Sequence, residues 1–399
     1  MSTPRTESTD LTRFVMRLGL VSLFADFAYE GSHAILGAFL ATLKANPVLV
    51  GLVAGTGELL GSGMRLFAGH LADRTRRYWP IMAGGYLANL LVVPTLALAQ
   101  NLWMAAPLVW AERLGKGLRT PARNVMLAQA GERLGAGRAF GLHTVLDQFG
   151  GLLGPLMVAG IVAALGYRAA FASLLVPAAV SLVMLGYART LAPPLAARPA
   201  AEPSAALPVA FYGYMAFAAL TVMGLAHFML FSYHLAVIHR LAPPWIPVLY
   251  ALAMGVNGLA ALAAGRLFDR IGLKALYLLP LLLLVADPLQ FLSRSPLGLV
   301  AAVTVWGAAL GVQDGALRAG ITRLVPSRRL GAAFGLFDLG LSLAWMVGSL
   351  AMGALYRIRP ADLVIFGTAT EVFALGALTV LMPRARGPGA PPPPRARRP

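Results

Sequence analysis

Asp26, Glu30 and His33 fall at i, i+4 and i+7 in an otherwise apolar run, so a helix there stacks all three on one face. Carboxyl and imidazole groups in such a row suit proton binding and release. A carboxyl that alternates between a dry setting, which favours its neutral form, and an arginine, which favours its anion, loads a proton in one and releases it in the other. Glu112, Arg113, Lys116 and Arg119 make a second cluster, with Glu112 and Lys116 four apart, and Asp26 or Glu30 is expected to pair with Arg113. His143 and Asp147 form a third group, Asp314 and Arg318 a fourth, and Glu58, Asp287 and Glu371 stand as isolated acids. The plainer reading of the same residues is an internal salt-bridge network that fixes helices against one another.

Met223 and His227 are also four apart, and a thioether with an imidazole is a soft pair that could hold Cu(I). Methionine more often fills a core and a lone histidine satisfies a backbone group, so no metal site is expected. His227 and His234, read as sharing a helical face, are candidate proton or solute contacts. Thiol catalysis and cysteine-based metal sites are excluded by the lack of cysteine. No G-x-x-x-x-G-K-[ST] run, H-E-x-x-H helix or G-x-S-x-G elbow occurs, so nucleotide hydrolysis and the common hydrolase chemistries lack their machinery. The chain is expected to be no enzyme and to need no cofactor.

The elements that must position these groups are membrane helices. Of 399 residues 58% are hydrophobic and 12% charged, and mean hydropathy is +0.72. A soluble domain has about 25% charged residues, so this chain lacks the polar surface a water-exposed fold needs. A bilayer core needs about 20 apolar residues per helix, and about twelve such windows run from 14–43 to 362–382. The windows are long and do not alternate strictly, which excludes a β-barrel. The first window follows a polar stretch and carries two acids, so it is a retained helix and not a cleaved signal. Two carboxylates at its centre cost about 5–7 kcal/mol on the insertion scale, against about 3–6 kcal/mol returned by its apolar residues. That helix must therefore turn its acidic face to a polar interior.

The formal net charge of +17 is explained by placement. Arg74, Arg76, Arg77, Arg123, Arg133, Arg138, Arg189, Arg198, Arg266, Arg270, Lys274, Arg323, Arg328 and Arg329 lie in loops on one side, as does the basic tail. The other side holds Lys44, Arg168, Arg240, Arg294, Arg357 and Arg359. This is the positive-inside asymmetry, about three to one, and it predicts both termini in the cytoplasm. It leaves no basic cluster for a nucleic-acid partner. The lipid bilayer and a small-molecule solute are the expected partners, protons the expected coupling ion, and a monomer the expected state.

The chain also reads as duplicated. Residues 190–208 are an Ala- and Pro-rich linker between a six-helix bundle over 1–189 and a second over 209–382, and 383–399 is a disordered basic, Pro-rich tail. Gly69, Leu71, Asp73 and Arg74 return 196 positions later as Gly265, Leu267, Asp269 and Arg270, as does Val109-Trp110 in Val305-Trp306. Gly137, Ala139, Phe140, Gly141 and Leu142 return 194 positions later as Gly331, Ala333, Phe334, Gly335 and Leu336. Repeats an even number of spans apart share orientation, the parallel arrangement about an axis along the membrane normal.

In these motifs the sequence resembles the major facilitator superfamily. The loop signature G-x-L-a-D-R-x-G-R-K is matched by Gly69, Leu71, Asp73 and Arg74, and more fully by Gly265, Leu267, Asp269, Arg270, Gly272 and Lys274. Arg113 and Gly117 fit the family's helix-4 R-x-x-x-G pattern. Gly150, Gly154 and Pro155 fit half of its helix-5 antiporter pattern, with Val158 and Ala159 in place of the final glycine pair. The resemblance implies an all-α integral membrane fold of twelve helices in two parallel six-helix repeats around a central cavity. It implies secondary transport by alternating access in the cytoplasmic (inner) membrane of a bacterium, with proton-coupled export first and proton-coupled uptake of a small anion, or copper import, as alternatives. A transporter-like sensor or an integral-membrane enzyme is the reading from a different class. Asp26, Glu30, His33, Glu112, Arg113, Lys116, Asp147, His227, His234 and Asp314 are then the candidate cavity and proton-coupling residues. Gly69, Asp73, Arg74, Gly265, Asp269 and Arg270 are a candidate conformational latch, with the two glycines allowing close backbone approach, and Gly150, Gly154 and Pro155 a hinge in helix 5.

Overall fold

The computed structural model describes residues 4–192, 207–326 and 329–384. Most of the predicted linker, Arg198, Arg328 and the tail beyond Arg384 lie outside the described residues. The described chain is helical: α1 (Pro4–Thr42), α2 (Pro47–Thr75), α3 (Tyr78–Thr95), α4 (Leu102–Leu134), α5 (Ala136–Ser173), α6 (Leu175–Arg189), α7 (Val209–Gly224), α8 (Phe228–Ile238), α9 (Trp245–Ile271), α10 (Leu278–Leu292), α11 (Pro296–Val312), α12 (Arg318–Leu324), α13 (Leu330–Ile358) and α14 (Pro360–Arg384).

Local chemistry sets the ends. Asn46 accepts from the Val48 amide at 2.9 Å with Pro47 opening α2, and Ser295 accepts from the Gly298 amide at 3.0 Å with Pro296 opening α11. Eight stretches are long and apolar enough to cross a membrane. Two of them, of 49 and 48 residues, are each far longer than a single crossing needs. The first turns at Gly166, whose φ of 81° and ψ of 179° only glycine adopts easily, and the second at Gly272, with φ of 62°. Each therefore counts as two crossings. Adding α1 and α4, which carry too many charges to register as apolar, gives twelve crossings among the described residues. Leu259, Leu262, Phe373 and Val176 expose more than half of their surface, the belt expected of a lipid-facing exterior.

Two cores form. One is built mainly from α1 to α6, with residues such as Phe14, Tyr86 and Phe171; the other mainly from α7 to α14, through Phe211, Trp306 and Leu378; Met229 and Tyr233 of α8 join the first and Ala34 and Ala38 of α1 the second. They meet on the face away from the chain termini. A Cβ on Gly37 would fall 1.8 Å from the Met229 carbonyl oxygen, one on Gly51 2.2 Å from that of Ser349, and one on Gly353 2.5 Å from that of Pro47. Only glycine permits α1 to lie on α8, and α2 on α13, at that distance. Tyr233 adds a hydrogen bond to the Ala45 carbonyl at 2.9 Å. Midway along α2 and α13 the two helices still touch through Ser62 and Ser342 (2.5 Å), and beside them a void opens toward the terminal face, so the molecule is sealed on the far face and open on the terminal one.

One predicted span is broken. Residues 208–238 read as a single helix, but Leu225, Ala226 and His227 leave helical geometry between α7 and α8. His227 caps α8, its Nδ1 accepting from the Met229 amide at 3.0 Å, and the Trp306 indole donates to the Ala226 carbonyl at 3.1 Å.

Candidate functional site

A cavity of about 310 Å³ lies between the cores at mid-height, lined among others by Tyr29, Glu30, His33, Arg113, Lys116 and Tyr250. It continues toward the terminal face into a second volume of about 560 Å³, reached by Asp147, Arg318 and Asp338. Glu58, Arg65, Asn257, Gln313, Asp314 and Trp345 line both.

Three polar networks hang from α1 and α4. In the first, Arg113 pairs with Glu58 at 2.6 Å and donates to the Tyr29 hydroxyl. Glu112 sits behind it, 3.8 Å from Arg113 Nε and 3.7 Å from His33 Nε2, and accepts from Asn89 at 2.9 Å. The His33 ring stacks on Tyr29 with centroids 4.2 Å apart. In the second, Glu30 lies 4.0 Å from Lys116 and accepts from the Tyr250 hydroxyl at 2.5 Å, while the Lys116 ammonium rests 3.3 Å above the Tyr29 ring. Because Glu30 is on α1 and Tyr250 on α9, that bond crosses between the two cores. In the third, Asp26 pairs with Arg119 at 3.1 Å, Arg123 stands 3.9 Å from Asp147, and Ser22 ties His143 (2.8 Å) to Tyr86 (3.2 Å).

The helical stack from Asp26 to His33 thus forms, but the expected pairing with Arg113 does not. Asp26 takes Arg119, Glu30 takes Lys116 and Tyr250, and Arg113 takes Glu58. Lys116, four residues from Glu112, turns to Glu30, and Glu112 lies against His33 and Arg113. Arg318 pairs with Asp338 at 3.2 Å, and Asp314 accepts from Asn257 at 3.3 Å. Of the candidates, Glu30, His33, Arg113, Lys116, His227 and Asp314 line the mid-height cavity and Asp147 the lower volume. Asp26 and Glu112 lie behind the wall. His234 is away from the cavity, its Nδ1 bonded to the Tyr356 hydroxyl at 2.8 Å and its ring packed on Phe291. His227, the N-cap of α8, reaches the cavity, whereas His234, two turns further along α8, is taken up by Tyr356 and Phe291, so only one of the two can meet a solute there. The break between α7 and α8 removes the alignment of Met223 with His227, and no group of three His, Cys, Asp or Glu side chains that could hold a metal occurs among the described residues.

Asp73, Arg74, Asp269 and Arg270 are exposed on the terminal face. Asp73 accepts from Tyr78 at 2.9 Å within its own core, and no ion pair joins the two motifs among the described residues. The close approach expected at Gly69 and Gly265 is absent: a Cβ there would come no nearer than 3.7 and 3.9 Å to its surroundings. Backbone-to-backbone contact falls instead at Gly150 and Gly154, where a Cβ would lie 2.1 Å from the carbonyl oxygens of Leu23 and Phe27. α5 stays helical through both glycines and Pro155.

Tyr29, Tyr250, Arg65, Asn257 and Trp345 were not marked by spacing. Tyr29 lies between the two acids of α1 and was open to notice; Tyr250 and Trp345 look in sequence like any membrane aromatic.

The arrangement is that of a membrane transporter: two helical cores, a polar cavity between them at mid-height, and a seal on one face. The chain belongs to the major facilitator superfamily, whose model matches residues 18–286 and again 243–399. It is a multi-pass membrane protein and acts as a secondary transporter. It is 39% identical over 374 residues to an uncharacterized protein of Mycobacterium tuberculosis, covering 91% of each chain. It is 23% identical over 384 residues to an uncharacterized MFS-type transporter of Methanocaldococcus jannaschii, covering 92% of this chain and 94% of the relative. Among solved structures the nucleoside transporter NupG superposes with a TM-score of 0.72 at 15% identity, over 94% of this chain and 99% of that one. The inward-facing, unoccupied bacterial homolog of the human lysosomal transporter Spinster superposes with a TM-score of 0.66 at 15% identity, over 96% of each. At these identities the structural likeness is one of fold.

Proposed function

We propose that the protein is a proton-coupled exporter of a small solute in the bacterial inner membrane, with both termini cytoplasmic and the open face described above facing the cytoplasm. The observation that carries the coupling is the Glu30–Tyr250 bond. It joins a titratable group on α1 to the opposite core, at the cavity wall, beside a lysine. Protonation of Glu30 weakens its attraction to Lys116 and changes what it offers Tyr250, so proton occupancy and the contact between the cores are linked at one atom. The half-matched helix-5 pattern and the acidic face of α1 support export as the direction. Rocking of the two cores as units, with Asp73, Arg74, Asp269 and Arg270 closing the terminal face in the opposite state, completes the cycle.

Arg65 supports a second reading, uptake of an anionic solute. It lines both volumes and donates to Ser62 at 2.5 Å, with no salt bridge to an acid among the described residues, so it offers positive charge to whatever enters.

The test is a solute panel in proteoliposomes with an imposed pH gradient, read by proton and solute flux. Glu30→Gln is expected to abolish gradient-driven flux and to retain solute counterflow; full gradient-driven flux in that variant refutes the coupling role. The sign of the proton flux that accompanies solute separates export from uptake.

A further inference from the structure

Asp287 on α10 and Glu371 on α14 were read as isolated acids, yet the fold brings them together inside the second core, apart from the cavity. They are 1% and 0% exposed, and Gln290, one turn from Asp287, is 0% exposed. None of the four carboxylate oxygens has a hydrogen-bond partner of good geometry, although the Ala226 backbone amide approaches Asp287, and neither polar atom of the Gln290 amide has one. Both acids converge on the broken end of α7. A Cβ on Gly367 would fall 2.3 Å from Asp287 Oδ2 and 3.3 Å from the Gly224 carbonyl oxygen; one on Gly224 would fall 2.5 Å from Glu371 Oε1 and 2.2 Å from Thr370 Oγ1. The two glycines thus clear a space that oxygen atoms from three helices face.

No basic side chain pairs with either acid among the described residues. His227 turns to His33 and Trp345, and His234 is bonded to Tyr356. Tyr214 of α7 bonds the Leu317 carbonyl, α11 carries no charged residue, and Asp338 of α13 is paired with Arg318. Two uncompensated anions in a dry core carry a desolvation penalty that a fold does not sustain, so a cation must neutralise them. The donors are oxygens alone, which selects a hard cation, and intramembrane acids beside a helix break are the arrangement in which transporters hold small monovalent ions.

We infer that Asp287, Glu371 and the broken end of α7, with Gln290 Oε1 as a further donor, form a buried site for a monovalent cation, a proton or a sodium ion. It is separate from the cavity acids. Because the break also positions His227 against the cavity, occupancy of this site sets the geometry of the seam between α7 and α8 and gives the protein a second point at which an ion gradient acts.

The experiment uses the full-length protein in detergent and reads binding, so it stands or fails apart from the transport reading. Melting temperature is measured in sodium chloride and in choline chloride at equal ionic strength, across pH, for the wild type, Asp287→Asn and Glu371→Gln. In parallel, carbodiimide labelling of the two acids, which requires a protonated carboxyl in an apolar setting, is mapped by mass spectrometry on the wild type alone, so a variant that fails to fold does not end the test. A sodium-dependent rise in melting temperature, lost in both variants and matched by sodium protection against labelling, establishes the site as a sodium site. Labelling that titrates with pH and ignores sodium establishes it as a proton site. Labelling and melting that respond to neither sodium nor pH overturn the inference.

Discussion

Replacing Gly37 or Gly51 by alanine tests the seal on the far face. The added methyl carbon at Gly37 would meet the Met229 carbonyl oxygen at 1.8 Å and that at Gly51 the Ser349 oxygen at 2.2 Å, where 3.4 Å is the lower limit of ordinary contact. The helices must therefore part by about 1.6 Å at Gly37 and about 1.2 Å at Gly51, in the closed state only. Alanine strengthens each helix by up to about 1 kcal/mol, but in both states alike, so that gain cancels. Overpacking of this kind costs about 1–3 kcal/mol, which converts to a shift of about 5- to 140-fold toward the conformation open on the far face. The assay is free of background because the chain has no cysteine. A single Met254→Cys reporter in the cavity wall is labelled with a membrane-impermeant thiol reagent applied from the far face, with and without each alanine. Expected is a rise in labelling rate within that range, largest for Gly37→Ala. An unchanged rate in correctly folded protein refutes the claim that these glycines hold the seal.

Tyr250→Phe removes the hydroxyl that joins Glu30 to the opposite core, a hydrogen bond to a charged group worth about 1.5–3 kcal/mol, and should weaken proton coupling, so that gradient-driven flux falls more than solute counterflow; undiminished gradient-driven flux argues against the linkage. Glu58→Gln takes the close partner from Arg113 and leaves it the longer Glu112 contact and the Tyr29 hydroxyl, so it should lower the melting temperature by less than the about 3–5 kcal/mol of a fully unpaired buried charge, a loss partly restored by the Glu58→Gln/Arg113→Gln double variant; two losses that simply add count against a dominant ion pair. Trp306→Phe deletes the donor to the Ala226 carbonyl and should loosen the break between α7 and α8 by about 1 kcal/mol, visible as faster hydrogen exchange there; unaltered exchange shows that packing alone holds it. Asp73→Asn should alter transport rate at normal protein abundance, and an intact rate dismisses the latch.

Much of the candidate site was legible in one dimension, and the reasons differ by residue. Asp26, Glu30 and His33 were marked because an acid amid hydrocarbon-length apolar sequence is costly wherever it does not face a polar interior. Gly150 and Gly154 were marked only by the resemblance to the family's helix-5 pattern, and they lie where α1 and α5 touch backbone to backbone. The break at Leu225–His227 had no such sign. Gly213 and Gly224 both fall in that run, Gly213 stays helical, and a glycine's cost of about 1 kcal/mol in a helix is too small to predict an end.

Membrane residence, twelve crossings and the duplicated motifs follow from the order of residues alone, since solvent transfer and helical periodicity act along the chain and need no partner. Which acid meets which base was decided only in three dimensions. Glu30 reaching Tyr250, Arg113 choosing Glu58 over α1, and Asp287 meeting Glu371 at the end of α7 each depend on how far a helix is rotated about its axis and how closely it packs on its neighbour. Side chains only a few bonds long bridge axes about 8–10 Å apart, so a rotation of one residue's arc exchanges one partner for another.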